Sequence, residues 1–148
     1  YLTLRGLRTL DARLRVHTEN TEALVALLDG HPAVAKLYYP WLKGHPGHDA
    51  ALRQQTGMGS LLGLELHGGR AADQSILDGL QIFNMAESLG GVESLICHPA
   101  SMTHAGMTDE ARAAAGISDS LLRLSVGVEA SEDLVHVVTE ALERAGNA

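Results

Sequence analysis

The stretch "SLLRLSVGV", residues 120–128, decides the fold class because it is the strongest strand signal in the chain. Successive side chains of a β-strand point to opposite faces of the sheet. One face of this strand is therefore purely apolar, formed by Leu122, Leu124, Val126 and Val128. The other face carries Leu121, Arg123, Ser125 and Gly127. The sequence thus predicts a sheet with one face in the core and Arg123 on the opposite face.

Arg123 lies within an apolar strand, so its guanidinium needs a partner that offsets the cost of leaving water. That partner is either a Glu side chain or the anion of a ligand. The planar fork of arginine matches the two oxygens of a carboxylate. From periodicity alone, a structural ion pair and a ligand anchor both remain open.

On both sides of this strand the pattern alternates between strands and helices. Apolar, β-branched and aromatic runs predict further strands over residues 34–39, 59–66 and 82–86. Apolar spacings of three and four predict helices over residues 7–30, 71–80, 108–116 and 131–146, and a short helix within 41–55. Thr108 and Ser131 are placed as the N-caps of the last two helices. Together these elements predict a two-layer α+β domain, with helices packed on a sheet.

Length and composition exclude several classes of protein. The chain has 148 residues, 45% of them hydrophobic, which suffices for one domain with a real core. A formal charge of -7 without a basic cluster argues against nucleic acid as a partner. No leader opens the chain and no apolar run approaches the roughly 20 residues that span a bilayer, so a soluble protein without a membrane partner is expected. The single cysteine, Cys97, fits a reducing cytoplasm, and a start at Tyr1 instead of Met suggests a fragment.

The segment "AESLGG", residues 86–91, places polar side chains at the end of a predicted strand. Glu87 and Ser88 stand just before a glycine turn, and loops at strand ends often carry binding groups. The structural alternative is that Ser88 caps the turn and Glu87 is solvated, and the residues alone favour it.

Three other motifs are not predicted to be sites. "GMGSLLG", residues 57–63, lacks the glycine spacing of a dinucleotide-binding turn and continues as a strand. His45 and His48 have no companion cysteines at zinc-finger spacing. Cys97 and His98 are adjacent on an extended segment and should face opposite sides. No catalytic residue and no metal site is therefore predicted in this chain.

Four segments together resemble the C-terminal domain of the pyridoxal-phosphate enzymes of cysteine and methionine metabolism. They are "YLTLRGLRTL" (1–10), "QQTGMGSLLGLEL" (54–66), "AESLGGVESLICHPASMTHAGM" (86–107) and "AAAGISDSLLRLSVGVE" (113–129). The family includes cystathionine gamma-synthase, cystathionine gamma-lyase and methionine gamma-lyase. The resemblance implies that residues 1–148 form the substrate-anchoring C-terminal domain of a fold-type I enzyme. Its expected architecture is α+β, with a small, mostly antiparallel sheet and helices packed on it.

The resemblance also implies substrate-binding roles for four residues. Arg123 matches the family arginine that grips the substrate α-carboxylate, and Ser88 matches the serine that assists it. Thr103 belongs to the Met-Thr-His motif of the family. Glu87 resembles the glutamate of the cystathionine synthases and lyases, which can meet a distal ammonium group.

The activity implied by the resemblance is trans-sulfuration at the gamma carbon of homoserine-derived amino acids. Cystathionine gamma-synthase and gamma-lyase are not separated by these motifs. A methionine gamma-lyase, an O-acylhomoserine sulfhydrylase relative and a non-catalytic isolated domain remain as alternatives.

The cofactor implied by the resemblance is pyridoxal 5'-phosphate, held as a Schiff base on a lysine. The only two lysines, Lys36 and Lys43, do not lie in the Ser-x-Thr-Lys setting that the family uses. We therefore expect a larger N-terminal domain, outside this chain, to bind the cofactor, and the chain alone to be inactive. The resemblance further implies a homotetramer and a small amino-acid substrate. The first helix should expose the apolar face that packs on the N-terminal domain.

Overall fold

The computed structural model describes residues 1–146, which form six helices and five strands. The helices are α1 (Leu2–Leu7), α2 (Leu10–Leu28), α3 (His48–Gln54), α4 (Gly69–Gly79), α5 (Asp109–Ala114) and α6 (Ser131–Ala145). The strands are β1 (Val34–Tyr38), β2 (Leu61–Leu66), β3 (Asn84–Met85), β4 (Leu95–Cys97) and β5 (Leu121–Ser125).

The strands form one sheet in the order β1-β2-β5-β4-β3. The pairs β1–β2, β2–β5 and β5–β4 are antiparallel, and only the edge pair β3–β4 is parallel. Strand β5 is central. The prediction of a small, mostly antiparallel sheet in an α+β fold is confirmed.

The core lies between one face of the sheet and the helices α2, α4 and α6. The sheet contributes Leu62, Leu64, Leu66, Ile96, Leu122 and Leu124, and the helices contribute Leu24, Leu28, Ala72, Ile76, Leu134 and Val138. These residues recur at period two in the strands and at three or four in the helices, which is why the sequence forms these elements. The other face of the sheet, called the outer face below, carries Gly63, Glu65, Cys97, Arg123 and Ser125.

The helix predicted over residues 7–30 corresponds to α2, which begins at Leu10, and a separate short helix, α1, precedes it. Arg8 and Thr9 form a turn between α1 and α2. The carbonyl of Gly6 accepts hydrogen bonds from the Thr9 amide at 3.3 Å and from the Arg13 guanidinium at 2.8 Å. The regular helical bond from Leu10 to Gly6 is thereby replaced, which breaks the helix.

Two strand predictions need correction. The strand predicted over residues 82–86 is reduced to Asn84–Met85, because its partner β4 is only three residues long. The strand predicted to reach Val128 ends at Ser125. Beyond it, Val126 and Val128 donate their amides to Ser60 and Val92, outside the regular ladder.

The two predicted N-caps have different outcomes. Thr108 caps α5, since its hydroxyl accepts a hydrogen bond from the Ala111 amide at 3.3 Å. The prediction for Ser131 is wrong: the N-cap of α6 is Ala130, Ser131 is already helical, and no side-chain hydrogen bond caps this end. Glu132 and Asp133 lie in the first turn of α6, where their negative charges interact favourably with the positive end of the helix dipole.

Candidate functional site

Arg123 occupies the middle of the outer face, in a row of residues that crosses the sheet. Gly63 of β2 and Cys97 of β4 lie directly beside it, and Tyr38 of β1 lies beside Gly63. Neither cross-strand neighbour of Arg123 is acidic. Gly63 presents no side chain to Arg123, and a Cβ at this position would lie 3.3 Å from the Leu121 side chain and 3.4 Å from that of Tyr38.

Residues 86–94, called the 86–94 loop below, return from the sheet edge across β4 to the central strand. The Ala86 amide still bonds to the Ile96 carbonyl of β4, at 3.0 Å. Farther along, the loop reaches β5, where the Gly90 amide donates to the Ser125 hydroxyl at 2.9 Å. The loop therefore covers the outer face of β4, and Leu95 and Cys97 beneath it are 4% and 1% exposed.

The Arg123 guanidinium is held by main-chain carbonyls of the 86–94 loop. Its Nη2 nitrogen donates to the carbonyl oxygens of Glu87, at 2.6 Å, and Ser88, at 3.2 Å. No carboxylate within residues 1–146 forms an ion pair with this guanidinium. The Glu partner considered from the sequence is therefore absent from the described part of the chain.

The remaining nitrogens of the Arg123 fork make no hydrogen bond to the described residues. A guanidinium has five N–H donors in a fixed plane, so one nitrogen can be tethered while the others bind a planar anion. Because the tethering carbonyls are neutral, the positive charge of Arg123 is not cancelled. The arrangement is suited to binding a carboxylate.

Glu87 and Ser88 reach Arg123 through their backbones, and both side chains are exposed. The structure thus brings three of the four predicted site residues together. The Glu87 carboxylate and the Ser88 hydroxyl form no hydrogen bond with other described residues and are accessible to a ligand.

Thr103 is the fourth predicted site residue, and it lies in the turn segment that follows β4. Its side chain is exposed, and its hydroxyl is 2.7 Å from the His104 Nδ1 atom. It shares no hydrogen bond with Arg123, Glu87 or Ser88 within the described chain. The fold of this chain therefore does not by itself connect Thr103 to the arginine.

Cys97 lies next to Arg123 but is not arranged as a nucleophile. Burial raises the pKa of its thiol, the nearby Arg123 charge lowers it, and Glu87 raises it, for a net upward shift. Its chain neighbour His98 is engaged elsewhere, with Nε2 donating to the Asp119 carbonyl at 2.8 Å and Nδ1 2.7 Å from the Ser101 hydroxyl. A neutral thiol without a base is the result.

Three residues that support the loop were not predicted as site residues. Ser94 is 0% and Ser125 1% exposed, and both hydroxyls bond to the backbone at the junction of the loop and β5. Glu129 accepts hydrogen bonds from the amide and hydroxyl of Ser94. Ser125 shares a strand face with Arg123, and this shared face could have indicated from the sequence that Ser125 belongs to the site. Ser94 and Glu129 carry no such signal, because their partners are distant in sequence.

The described residues do not fit the role of holding pyridoxal phosphate through a lysine. Lys36 is exposed, with its ammonium 4.4 Å from the centre of the Tyr38 ring. A hydrogen bond with Tyr38 is the main cause that raises the pKa of Lys36. A lysine that attacks a carbonyl needs the opposite shift, which desolvation or a neighbouring cation provides. Lys43 is also exposed, in the loop before α3.

Metal and membrane binding also lack support in residues 1–146. No group of three His, Cys, Asp or Glu side chains in this range is placed to hold a metal ion. None of its helices combines the length and the apolar character that crossing a membrane requires.

Comparisons with known proteins identify a family. The model of the family described as "Cys/Met metabolism PLP-dependent enzyme" matches residues 1–143. Cystathionine gamma-synthase of Escherichia coli (strain K12) is 55% identical over 135 residues, which cover 91% of this chain and 35% of that protein. L-methionine gamma-lyase of Fusobacterium nucleatum subsp. polymorphum is 43% identical over 144 residues, which cover 97% of this chain and 36% of that protein.

Solved structures agree with the sequence comparisons. Cystathionine gamma-synthase from Xanthomonas oryzae pv. oryzae, in complex with cystathionine, superposes with a TM-score of 0.96 and 63% identity, over 99% of this chain and 38% of that one. Cystathionine gamma-lyase from Lactobacillus plantarum, complexed with L-serine, gives a TM-score of 0.90 and 40% identity, over 96% and 37% of the two chains. The chain spans little more than a third of the length of these relatives.

Proposed function

The chain belongs to the family of Cys/Met metabolism PLP-dependent enzymes, and from this premise we propose that it is the substrate-anchoring C-terminal part of a trans-sulfuration enzyme. The proposed activity of the whole protein is that of a cystathionine gamma-synthase, which acts at the gamma carbon of a homoserine-derived amino acid. The 63% identity to a cystathionine gamma-synthase structure supports the synthase. A cystathionine gamma-lyase is the second candidate, supported by the structure that is 40% identical.

One observation carries the proposal: Arg123 presents a tethered, uncancelled guanidinium on the outer face of the sheet. Two carbonyls hold its Nη2 nitrogen, and no described carboxylate pairs with it. An amino-acid substrate supplies an α-carboxylate that fits the open fork in a bidentate manner. Arg123 is therefore proposed to bind the α-carboxylate and to orient the amino acid.

The neighbouring residues are proposed to complete the substrate site. Ser88 assists Arg123 through its carbonyl and through its exposed hydroxyl. Glu87 has an exposed carboxylate that forms no ion pair with Arg123, and it is proposed to meet the distal ammonium group of a cystathionine-like substrate. Thr103 is proposed as a further substrate contact, made when the rest of the enzyme is present.

The rest of the protein is proposed to supply the cofactor site. Pyridoxal phosphate provides the electron sink for reactions at the carbon atoms of a bound amino acid. Neither lysine of this chain is suited to hold it, and the chain covers only 35% and 38% of the length of two of its relatives. A lysine outside residues 1–148 is therefore proposed to carry it, so that this chain alone is inactive.

An apolar surface supports docking of that larger part. Along α1 and the start of α2, the exposed fractions are 76% for Leu2, 68% for Leu4, 57% for Leu7, 38% for Leu10 and 47% for Leu14. A row of exposed leucines of this length marks an interaction site. We propose that the N-terminal domain covers it and that the complete enzyme is a homotetramer. The buried free thiol of Cys97 agrees with a cytoplasmic location.

The deciding experiment measures activity of the full-length protein with pyridoxal phosphate. A synthase forms cystathionine from an O-acylhomoserine and cysteine faster than it cleaves cystathionine, whereas a lyase shows the reverse preference. Arg123→Lys should reduce either activity. A full-length protein that binds the cofactor but processes neither cystathionine, an O-acylhomoserine nor methionine would contradict the proposal and leave a non-catalytic domain.

A further inference from the structure

The 86–94 loop is fastened to β5 at two neighbouring points on the outer face. Arg123 holds the carbonyls of Glu87 and Ser88, and Ser125 accepts a hydrogen bond from the Gly90 amide at 2.9 Å. Alternate residues of a strand point the same way, so these two side chains act on one short segment from one side. Ser125 is 1% exposed, and its hydroxyl holds the loop at Gly90, two residues after the Ser88 carbonyl that tethers Arg123.

A second fastening holds the far end of the loop. The Glu129 carboxylate accepts the Ser94 amide at 2.6 Å with one oxygen and the Ser94 hydroxyl at 2.8 Å with the other. The same hydroxyl accepts a hydrogen bond from the Gly127 amide at 2.8 Å. Ser94 is 0% exposed. Every polar group of this junction is thus satisfied, and hydrogen bonds to a carboxylate are stronger than neutral ones.

The segment that carries Glu129 is itself fixed to helix α2. The Asn20 side-chain amide donates to the carbonyls of Gly127, at 3.1 Å, and Glu129, at 2.8 Å. His17, one turn earlier in α2, donates from Nδ1 to the Val126 carbonyl at 2.6 Å. Both α2 side chains are 3% exposed. The loop, the end of β5 and α2 therefore form one connected hydrogen-bonded unit.

From these contacts we infer that Ser94, Ser125 and Glu129 are positioning residues for the Arg123 anchor. They touch no substrate, and they act by fixing the carbonyls of Glu87 and Ser88. With the loop fixed, the guanidinium is held in one orientation before a carboxylate arrives, so binding does not bear the cost of ordering it. The inference rests on the proposed function, because it assumes that Arg123 binds the α-carboxylate.

The test compares a carboxylate ligand with its uncharged amide in the full-length enzyme with its cofactor. The probes are L-alanine and L-alaninamide, and the binding of each is followed through the visible absorbance of the cofactor. The first variant, Glu129→Gln, places an NH2 donor where one of the two Ser94 donors needs an acceptor. The second, Ser125→Ala, leaves the Gly90 amide without its acceptor. Glu93→Gln is the matched control, because Glu93 is an exposed carboxylate of the same loop that takes no part in these bonds.

Both variants should weaken L-alanine binding by about threefold to tenfold, the effect of losing one ordinary hydrogen bond, and leave L-alaninamide binding unchanged. The control should bind both probes as the parent enzyme does. A purely structural role would weaken both probes equally or only lower the melting temperature, and either result overturns the inference. Failure of both variants to fold also overturns the inference.

Arg123→Lys separates the inference from the proposed function. If it reduces the preference for L-alanine over L-alaninamide while Glu129→Gln and Ser125→Ala do not, the anchor stands and the positioning role is wrong. If Arg123→Lys leaves that preference unchanged, Arg123 is not the carboxylate anchor, and the proposed function fails together with the inference.

Discussion

Arg123 and Glu87 carry opposite charges and are in contact, yet the contact is made through the backbone of Glu87. The guanidinium donates to the Glu87 carbonyl at 2.6 Å, and the Glu87 side chain is exposed without a partner among the described residues. Mutation can therefore remove either charge without removing the other. The roles of these two residues can be measured separately.

Arg123→Lys should lower the catalytic efficiency of the full-length enzyme on every amino-acid substrate. Lysine keeps the charge but loses the planar fork and the tether to the two carbonyls. Losing a hydrogen bond to a charged group costs about 1.5 to 3 kcal/mol, which corresponds to roughly tenfold to more than a hundredfold in kcat/KM. The measurement is kcat/KM on cystathionine, methionine and an acylhomoserine. Arg53→Lys, at an exposed position of α3, is the control, and a substrate that Arg123→Lys spares would contradict this prediction.

Glu87→Val should change the preference among substrates instead of lowering the catalytic efficiency on all of them. The variant keeps the backbone carbonyl that tethers Arg123, so the carboxylate anchor persists. The lost carboxylate is expected to reach only the distal ammonium of a cystathionine-like substrate. The ratio of kcat/KM on methionine to kcat/KM on cystathionine should therefore increase. Equal losses on both substrates would show that Glu87 acts on the common anchor.

Gly127→Ala should displace the 86–94 loop. An added Cβ would lie 2.6 Å from the Glu93 carbonyl carbon and also against the Val92 carbonyl and the Glu129 carboxylate, so the loop backbone must shift. Overpacking of this kind costs about 1 to 3 kcal/mol. We expect a lower melting temperature together with weaker binding of amino-acid ligands. Gly106→Ala is the matched control, since a Cβ there meets nothing within 4 Å, and an equal loss of stability in both variants would contradict the steric argument.

The site could be predicted from the sequence only where side-chain patterns carry the information. Alternation along β5 placed Arg123 and Ser125 on the outer face, and the glycine pair indicated a turn after Glu87 and Ser88 without placing it beside Arg123. The actual partners of Arg123 are main-chain carbonyls, which any residue supplies and no pattern reveals. A Glu side chain was one of the two expected partners, but the described part of the chain gives the half-buried Arg123 only two neutral carbonyls, so the other expected partner, a ligand anion, stays a prediction.

The parts of the fold that were predicted wrongly are short or depend on distant contacts. Strand β4 has three residues, too few for a period-two pattern, and its burial comes from the loop that crosses it. The break between α1 and α2 follows from the Arg13 guanidinium binding the Gly6 carbonyl, a contact between residues seven apart. The existence of α2, α4, α6 and β5 was predicted correctly, although not all of their ends, because burial on one face imposes a strong periodicity.

The exposed leucines of α1 predict that the isolated chain associates. α1 has no buried residue, so Leu4 and Leu7 do not contribute to the core. Substituting both with Glu should therefore abolish association without unfolding the domain, as light scattering and circular dichroism would show. Leu52→Glu, at a leucine of α3 that is 52% exposed, serves as the control and should leave the association intact. A monomeric parent chain would contradict the assignment of this surface as a docking face.

Asp73 gives the molecule a specific pH dependence of stability. This residue of α4 is 1% exposed, and neither carboxylate oxygen has a hydrogen-bond partner among the described residues. Burial raises its pKa to about 6, against the opposing effects of His98 and Arg70 and with a smaller contribution from Glu65. In the unfolded chain the pKa of an aspartate is about 3.9. The folded state therefore holds a proton between about pH 4 and pH 6 that the unfolded state has lost.

This extra proton of the folded state determines whether stability rises or falls with pH. The stabilising contribution of Asp73 is fully present below about pH 4 and is lost as the pH rises through about 6, a change on the order of 2 to 3 kcal/mol at 1.36 kcal/mol per pKa unit. Asp73→Asn is nearly isosteric and does not titrate. The stability of this variant relative to the parent should therefore increase between pH 4.5 and pH 7.5, because only the parent must bury a charge at the higher pH. Melting temperatures of the full-length protein across this range provide the test, with Asp29→Asn, at an exposed residue after α2, as the control for surface carboxylates. A difference between parent and Asp73→Asn that is constant with pH would mean that Asp73 does not titrate in this range, and that a partner outside the described residues satisfies its charge.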